Sequence, residues 1–121
     1  MDFLRRTVVF DAVDVETEAR FWAAVFDGAA LGNDEWQKVR APDGTTPVGV
    51  QYSSDHRSSH GWPEEPVRTH LDLWVADIRT AHRQIIAIGA EVIQLASGEQ
   101  NWNVYLSPAG HPFCLVWDPQ Q

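Results

Sequence analysis

The chain repeats itself. Thr7-Val-Val-Phe-Asp-Ala-Val-Asp14 returns 63 residues later as His70-Leu-Asp-Leu-Trp-Val-Ala-Asp77. Each segment is rich in β-formers and ends in an Asp suited to cap a helix. After Asp14, the apolar residues Phe21, Trp22, Val25 and Phe26 share one helical face, and Gly28 is placed to stop the helix. After Asp77, Ile78, Ala81, Ile85 and Ile88 make the matching stripe and Gly89 the matching stop. Trp36, Pro42 and Gly44 then recur as Trp102, Pro108 and Gly110, 66 residues on. Pro followed two residues later by Gly marks a turn joining two strands. Val48–Tyr52 and Phe113–Trp117 supply a last strand to each unit. The pattern predicts strand, helix and about three strands, twice: module one over about 5–53, a Ser-, His- and Pro-rich linker over about 54–68, and module two over about 69–119.

Size and charge narrow the class. At 121 residues the chain suits a single domain, and each half of about 60 residues is too small to be comfortable alone. The net charge of −8 would repel a duplex, which argues against nucleic acid as a partner. The longest apolar run, Phe21 to Phe26, is far too short to span a bilayer, and Met-Asp-Phe-Leu-Arg-Arg lacks a signal peptide's apolar stretch. Cys114 is the only cysteine, so no internal disulfide forms and a cytoplasmic location is expected.

The repeat resembles the vicinal oxygen chelate superfamily, which includes glyoxalase I, extradiol dioxygenases and bleomycin-resistance proteins. More closely, it resembles bacterial glyoxalase-like domains. The resemblance is carried by Phe10-Asp-Ala-Val-Asp14 before Ala19-Arg-Phe-Trp22, Ala41-Pro-Asp-Gly44, His70-Leu-Asp-Leu73 and Ser107-Pro-Ala-Gly-His-Pro-Phe-Cys-Leu-Val116. It implies an α+β fold of two tandem βαβββ modules forming an open, curled mixed sheet around a cavity. It also implies a homodimer and, in several members, a bound metal. The fold hosts isomerases, dioxygenases, thiol transferases and metal-free binders, so the site has to decide the function.

Side chains alternate across a strand, so one face packs under the helix and the other faces the cavity. Leu71, Leu73 and Val75 form a core face, which sends His70, Asp72 and Trp74 to the concave side. Val8, Phe10 and Ala12 do the same in module one, leaving Thr7, Val9, Asp11 and Val13 concave. Two carboxylates, an imidazole and an indole make a wall more polar than a core and suited to a ligand. The plainer alternative has His70 bonded to a backbone carbonyl and Asp72 paired with Arg68. An aromatic wall beside carboxylates suits a flat or basic molecule. Trp36 and Trp102 are read as structural or as lining the cavity mouth, and Trp62 as a lid or a surface packing residue.

In metal-binding relatives the ligands, usually His and Glu, come from the first and last strands of each module. The resemblance carries those positions to Thr7, Gln51, His70 and Cys114, with Gly49 as the alternative to Gln51. His70 alone matches the ligand pattern. Thr and Gln are poor ligands, and apolar neighbours would raise the Cys114 thiol pKa. Two good donors fall short of the three a catalytic zinc uses, so no metal is expected, and His70, Gln51 and Cys114 form only a weak set. His56 and His60 fall in a loop, His82 on the surface of the second helix and His111 in a turn. No Gly-x-Ser-x-Gly elbow or phosphate loop is present.

The expectation is therefore a homodimeric, metal-free binder of a small organic molecule, using Asp11, Gln51, His70, Asp72, Trp74 and Cys114, with Thr7 and Val9 as lining. The alternatives are a lyase, isomerase or dioxygenase of the chelate type, metal-dependent or acting by His70 and a carboxylate, and an assembly domain with a vestigial pocket.

Overall fold

In the computed structural model, which describes residues 1–120, each half of the repeat folds as strand, helix and three strands. The first unit, Met1–Arg57, holds β1 (Val8–Ala12), α1 (Val15–Val25), β2 (Ala29–Gly32), β3 (Trp36–Arg40) and β4 (Val48–Tyr52). The second, from Ser58 onward, holds β5 (Leu71–Trp74), α2 (Ile78–Ala87), β6 (Glu91–Gln94), β7 (Trp102–Leu106) and β8 (Pro112–Val116). Each unit has one open four-stranded mixed sheet, ordered β1-β4-β3-β2 and β5-β8-β7-β6. In both, the first strand pairs parallel with the last, and the remaining pairs are antiparallel. No helix among the described residues is long and apolar enough to cross a membrane.

Both strand-end aspartates cap their helices. Asp14 accepts from the Thr17 amide at 3.1 Å and hydroxyl at 2.7 Å, and Asp77 from the Arg79 and Thr80 amides and the Thr80 hydroxyl. The threonine hydroxyl bond, before the backbone bonds, holds each carboxyl below the usual carboxylate range. A depressed native pKa adds stability that is present above the ordinary carboxylate pKa and is lost as pH falls through the native one. Asp14→Ala and Asp77→Ala should therefore destabilise the protein at pH 7, and the gap to wild type should narrow as pH falls through the native carboxyl pKa. Urea titrations at pH 7 and over a descending acid series check this, and a gap that stays constant throughout would rule out a charge-dependent cap.

The helix stops show where local sequence reading needs correcting. Both helices end in the same arrangement of bonds: Gly28 N–H to Ala23 O and Asp27 N–H to Ala24 O in α1, Ala90 N–H to Ile85 O and Gly89 N–H to Ile86 O in α2. In α2 the left-handed residue is Gly89, with φ 115°. In α1 it is Asp27, with φ 53°, and not Gly28. Gly28 is needed for another reason: a Cβ there would run into the Arg40 carbonyl as α1 hands over to β2.

The cores follow the predicted faces except at two ends, where Val8, which starts β1, and Ile88, which follows α2, are exposed. Trp22 on α1 is fully buried, stacked on Phe10 at 4.9 Å and set edge-on to Phe21 at 5.0 Å, above Val39, Val48 and Val50. Its indole N–H donates to Glu18 at 2.8 Å, which accommodates a carboxylate that is itself only 1% exposed. In the second unit Phe113, Leu115 and the stacked Tyr105 face the helix side with Ile85. His82, expected at the surface, is half-buried with its Nδ1 2.8 Å from the Tyr105 hydroxyl. That hydroxyl, which also accepts from Asn103, needs a partner once buried.

Candidate functional site

The sequence candidates fall into two groups, one on the helix-free face of each sheet. In the second unit the β5–β8 register sets Asp72 opposite Cys114 and Trp74 opposite Val116. The β7–β8 register then adds Val104 beside Cys114 and Trp102 beside Val116. Residues side by side in a row point to the same face. One row is therefore Asp72, Cys114 and Val104, and the next is Trp74, Val116 and Trp102.

His70, just before β5, places Nε2 3.2 Å from Asp72 Oδ1, so the side chain beside Asp72 is the His70 imidazole and not Arg68. Cys114 is buried, and its thiol lies within hydrogen-bonding reach of Asp72. Burial first, and then the charge and hydrogen bond of Asp72, push the thiol up to about 12. Donor atoms of His70, Asp72 and Cys114 all lie within 4.8 Å of one another.

Aromatic groups surround this cluster. Trp74 is 68% exposed and Trp102 42% exposed, one on each side of Val116. Two strand spacings, roughly 9.6 Å, separate their backbones. Trp62, in the turn before β5, packs with Ile93 on Val104, Cys114 and Val116. Its ring lies 4.8 Å from that of His70.

In the first unit the corresponding face is built differently. Asp11 accepts a 2.7 Å hydrogen bond from the Gln51 amide, and Gln51 lies between Asp11 and Trp36 in one row. Thr7 donates its hydroxyl to the Thr46 carbonyl at 2.7 Å. Val9 is partly exposed opposite Gly49. The parallel registers equate Gly49, opposite Val9, with Cys114, opposite Asp72. Of the two alternatives for the last-strand ligand position, the geometry selects Gly49, and Gln51 corresponds to Val116. The Trp36 indole lies against Gly49 where a side chain would stand. A polar hollow of about 600 Å3 lined by Glu16, Arg20, Asn33, Asp34 and Gln37 lies elsewhere in this unit, and none of the sequence candidates lines it.

These facts test the metal that such a fold implies. Of the four equivalent positions, Thr7 is committed to a backbone carbonyl, Gly49 has no donor, and only His70 and Cys114 offer ligand atoms. The residues do not fit a four-ligand site. The sequence left both Trp62 and Trp102 open. Trp102 had a signal in its repeat relation to Trp36, and Trp62 had its place between Gly61 and Pro63 in the linker.

Comparison with known proteins agrees with the architecture. The family model described as a glyoxalase-like domain matches residues 7–116. No curated protein matches the chain in sequence. Among solved structures, a glyoxalase-related enzyme from Fulvimarina pelagi superposes with a TM-score of 0.68 at 15% identity, covering 98% of this chain and 90% of that one. A glyoxalase/bleomycin resistance/dioxygenase family enzyme from Burkholderia phytofirmans PsJN gives 0.67 at 15%, covering 92% and 95%. The fosfomycin resistance protein FosX from Listeria monocytogenes gives 0.70 at 11%, covering 98% and 95%. At these identities the likeness concerns the fold.

Proposed function

The chain belongs to the family of glyoxalase-like domains, and from that premise we propose that it binds a small, flat, basic organic molecule on the helix-free face of its second module, without a metal. The observation that carries this reading is the row Trp74, Val116, Trp102 beside the Asp72 carboxylate. Two indoles supply flat walls, a valine supplies an apolar floor, and Asp72 supplies charge where a protonated nitrogen would lie. His70, held at its Nε2 by Asp72, orients a polar group of the ligand. Cys114 remains a neutral thiol and serves as lining. Asp11, Gln51, Val9 and Thr7 shape the equivalent face of the first module.

Trp74→Ala should abolish ligand-induced quenching of tryptophan fluorescence while circular dichroism stays unchanged. The ligand would be chosen by thermal shift from a panel of flat amines and antibiotics. Unchanged quenching would remove Trp74 from the site.

A second reading rests on the His70, Asp72 and Cys114 cluster, whose N, O and S donors suit zinc. Stoichiometric zinc retained by tag-free protein and lost in His70→Ala would favour this reading and a lyase or isomerase activity. A thermal shift with the amines but not with zinc would favour the binder.

A further inference from the structure

The face proposed for the ligand already carries a flat aromatic ring. Trp62 comes from the turn before β5, and its indole packs on Val104, Cys114 and Val116 and lies 4.8 Å from the His70 ring. Two backbone hydrogen bonds, Trp62 N–H to Ser59 O at 3.1 Å and Glu65 N–H to Gly61 O at 2.8 Å, coil the segment so that the indole is presented to the sheet.

Contacts with Gly110 and Glu91 help to fasten the segment. Ser59 N–H donates to Gly110 O at 2.9 Å, and Ser58 packs so closely on Gly110 that a Cβ there would collide with it. His60 Nε2 meets Glu91 Oε2 at 3.0 Å, with both side chains more than half exposed. An exposed contact between an imidazole and a carboxylate and a backbone bond at a surface turn hold little free energy. The indole packing adds to these contacts, and it is the one that a competing ring would displace.

We infer that Trp62 is a built-in occupant of the ligand site, and that a planar aromatic cation takes the place of its indole, releasing the 58–66 strap. The inference rests on the proposed binding face and adds an aromatic ring as the ligand's required part and strap release as its consequence. A ring is required because only a flat group replaces the contacts that the indole makes over His70 and the Val104, Cys114, Val116 surface. A cation is required because Asp72 bears the formal charge beside that surface, with Cys114 a neutral thiol next to it. An anion of the same shape would meet the carboxylate and be rejected.

The test uses three probes that carry the indole ring itself: tryptamine, indole and indole-3-acetate. Titration calorimetry would compare wild type with Trp62→Gly, which vacates the subsite. If the strap is open on the order of a tenth of the time or less, removing the indole tightens tryptamine about tenfold or more. Tryptamine should exceed indole, and indole should exceed indole-3-acetate, with the preference for the cation lost in Trp62→Gly/Asp72→Asn. In wild type, saturating tryptamine should speed amide exchange at Ser59, whose hydrogen bond to the Gly110 carbonyl opens with the strap, a readout that holds even if the variant misfolds.

Equal tryptamine affinity in wild type and Trp62→Gly, indole-3-acetate binding as tightly as tryptamine, or unchanged exchange at saturation would each overturn the inference. Adding Trp74→Ala separates the two ideas. If affinity depends on Trp74 but not on Trp62, only the strap is refuted. If tryptamine binds neither protein, or its affinity depends on neither tryptophan, both the strap and the flat-ligand reading fall.

Discussion

Trp22→Ala should cost about 3–5 kcal/mol, the range for deleting a large aromatic from a closed core. The indole is fully buried, stacked on Phe10 at 4.9 Å and edge-on to Phe21, so little of the vacated space can be refilled without moving β1 or α1. The substitution also removes the N–H that Glu18 accepts at 2.8 Å inside the core. Domains of this size have only about 5–15 kcal/mol of net stability, so the variant should be largely unfolded at modest urea concentrations. Trp22→Phe separates the two contributions, because it keeps most of the ring packing and loses the hydrogen bond, for about 1–3 kcal/mol. Urea midpoints for the three proteins check the order. A Trp22→Ala loss below about 1 kcal/mol would mean that α1 is not anchored through this indole.

The second large effect is chemical. With its pKa near 12, the Cys114 thiol is ionised in roughly one molecule in ten thousand at pH 8. An ordinary thiol is about a quarter ionised there. Alkylation by iodoacetamide should therefore be on the order of a thousandfold slower in the folded protein than after unfolding in urea. Asp72→Asn should speed it by removing the carboxylate that disfavours the thiolate, while leaving burial in place. The same shift has a stability consequence of definite sign. The native state holds the thiol proton more tightly than the unfolded chain does. Stability should then decline as pH rises from the ordinary thiol range toward about 12, and be unaffected by this group at neutral pH. Alkylation at the rate of a free thiol would remove Cys114 from the packed row beside Asp72.

Much of the site was legible because it depends on period two. Alternation alone sends Asp72 and Trp74 to one side of β5 and Leu71 and Leu73 to the other, and the exposed and half-buried residues of β5 follow it. The helix stops were half legible. Gly89 takes the left-handed position that glycine favours, but in α1 that position falls to Asp27, and Gly28 answers to a carbonyl from β3. His82 was misplaced because a stripe analysis counts apolar neighbours and does not see the Tyr105 hydroxyl waiting for it on β7. Gly49 and Gln51 share a strand face, so alternation does not choose between them, and only the β1–β4 register does.

By itself, the sequence determined the two strand-helix-strand units, their capping aspartates, their turns and the faces of their first strands. These features arise from residues within a few positions of one another, where periodicity and turn chemistry act directly. Only the tertiary structure decided that Asp72 sits opposite Cys114, that Trp102 flanks Val116 across from Trp74, and that Trp62 lies over His70. Parallel pairing of β5 with β8 joins strands about forty residues apart, and their register is set by how the whole sheet packs. The duplicated chain thus specifies two similar scaffolds, and cross-strand neighbours make their open faces different: Asp11 with Gln51 in one, and His70, Asp72 and Cys114 under tryptophan in the other.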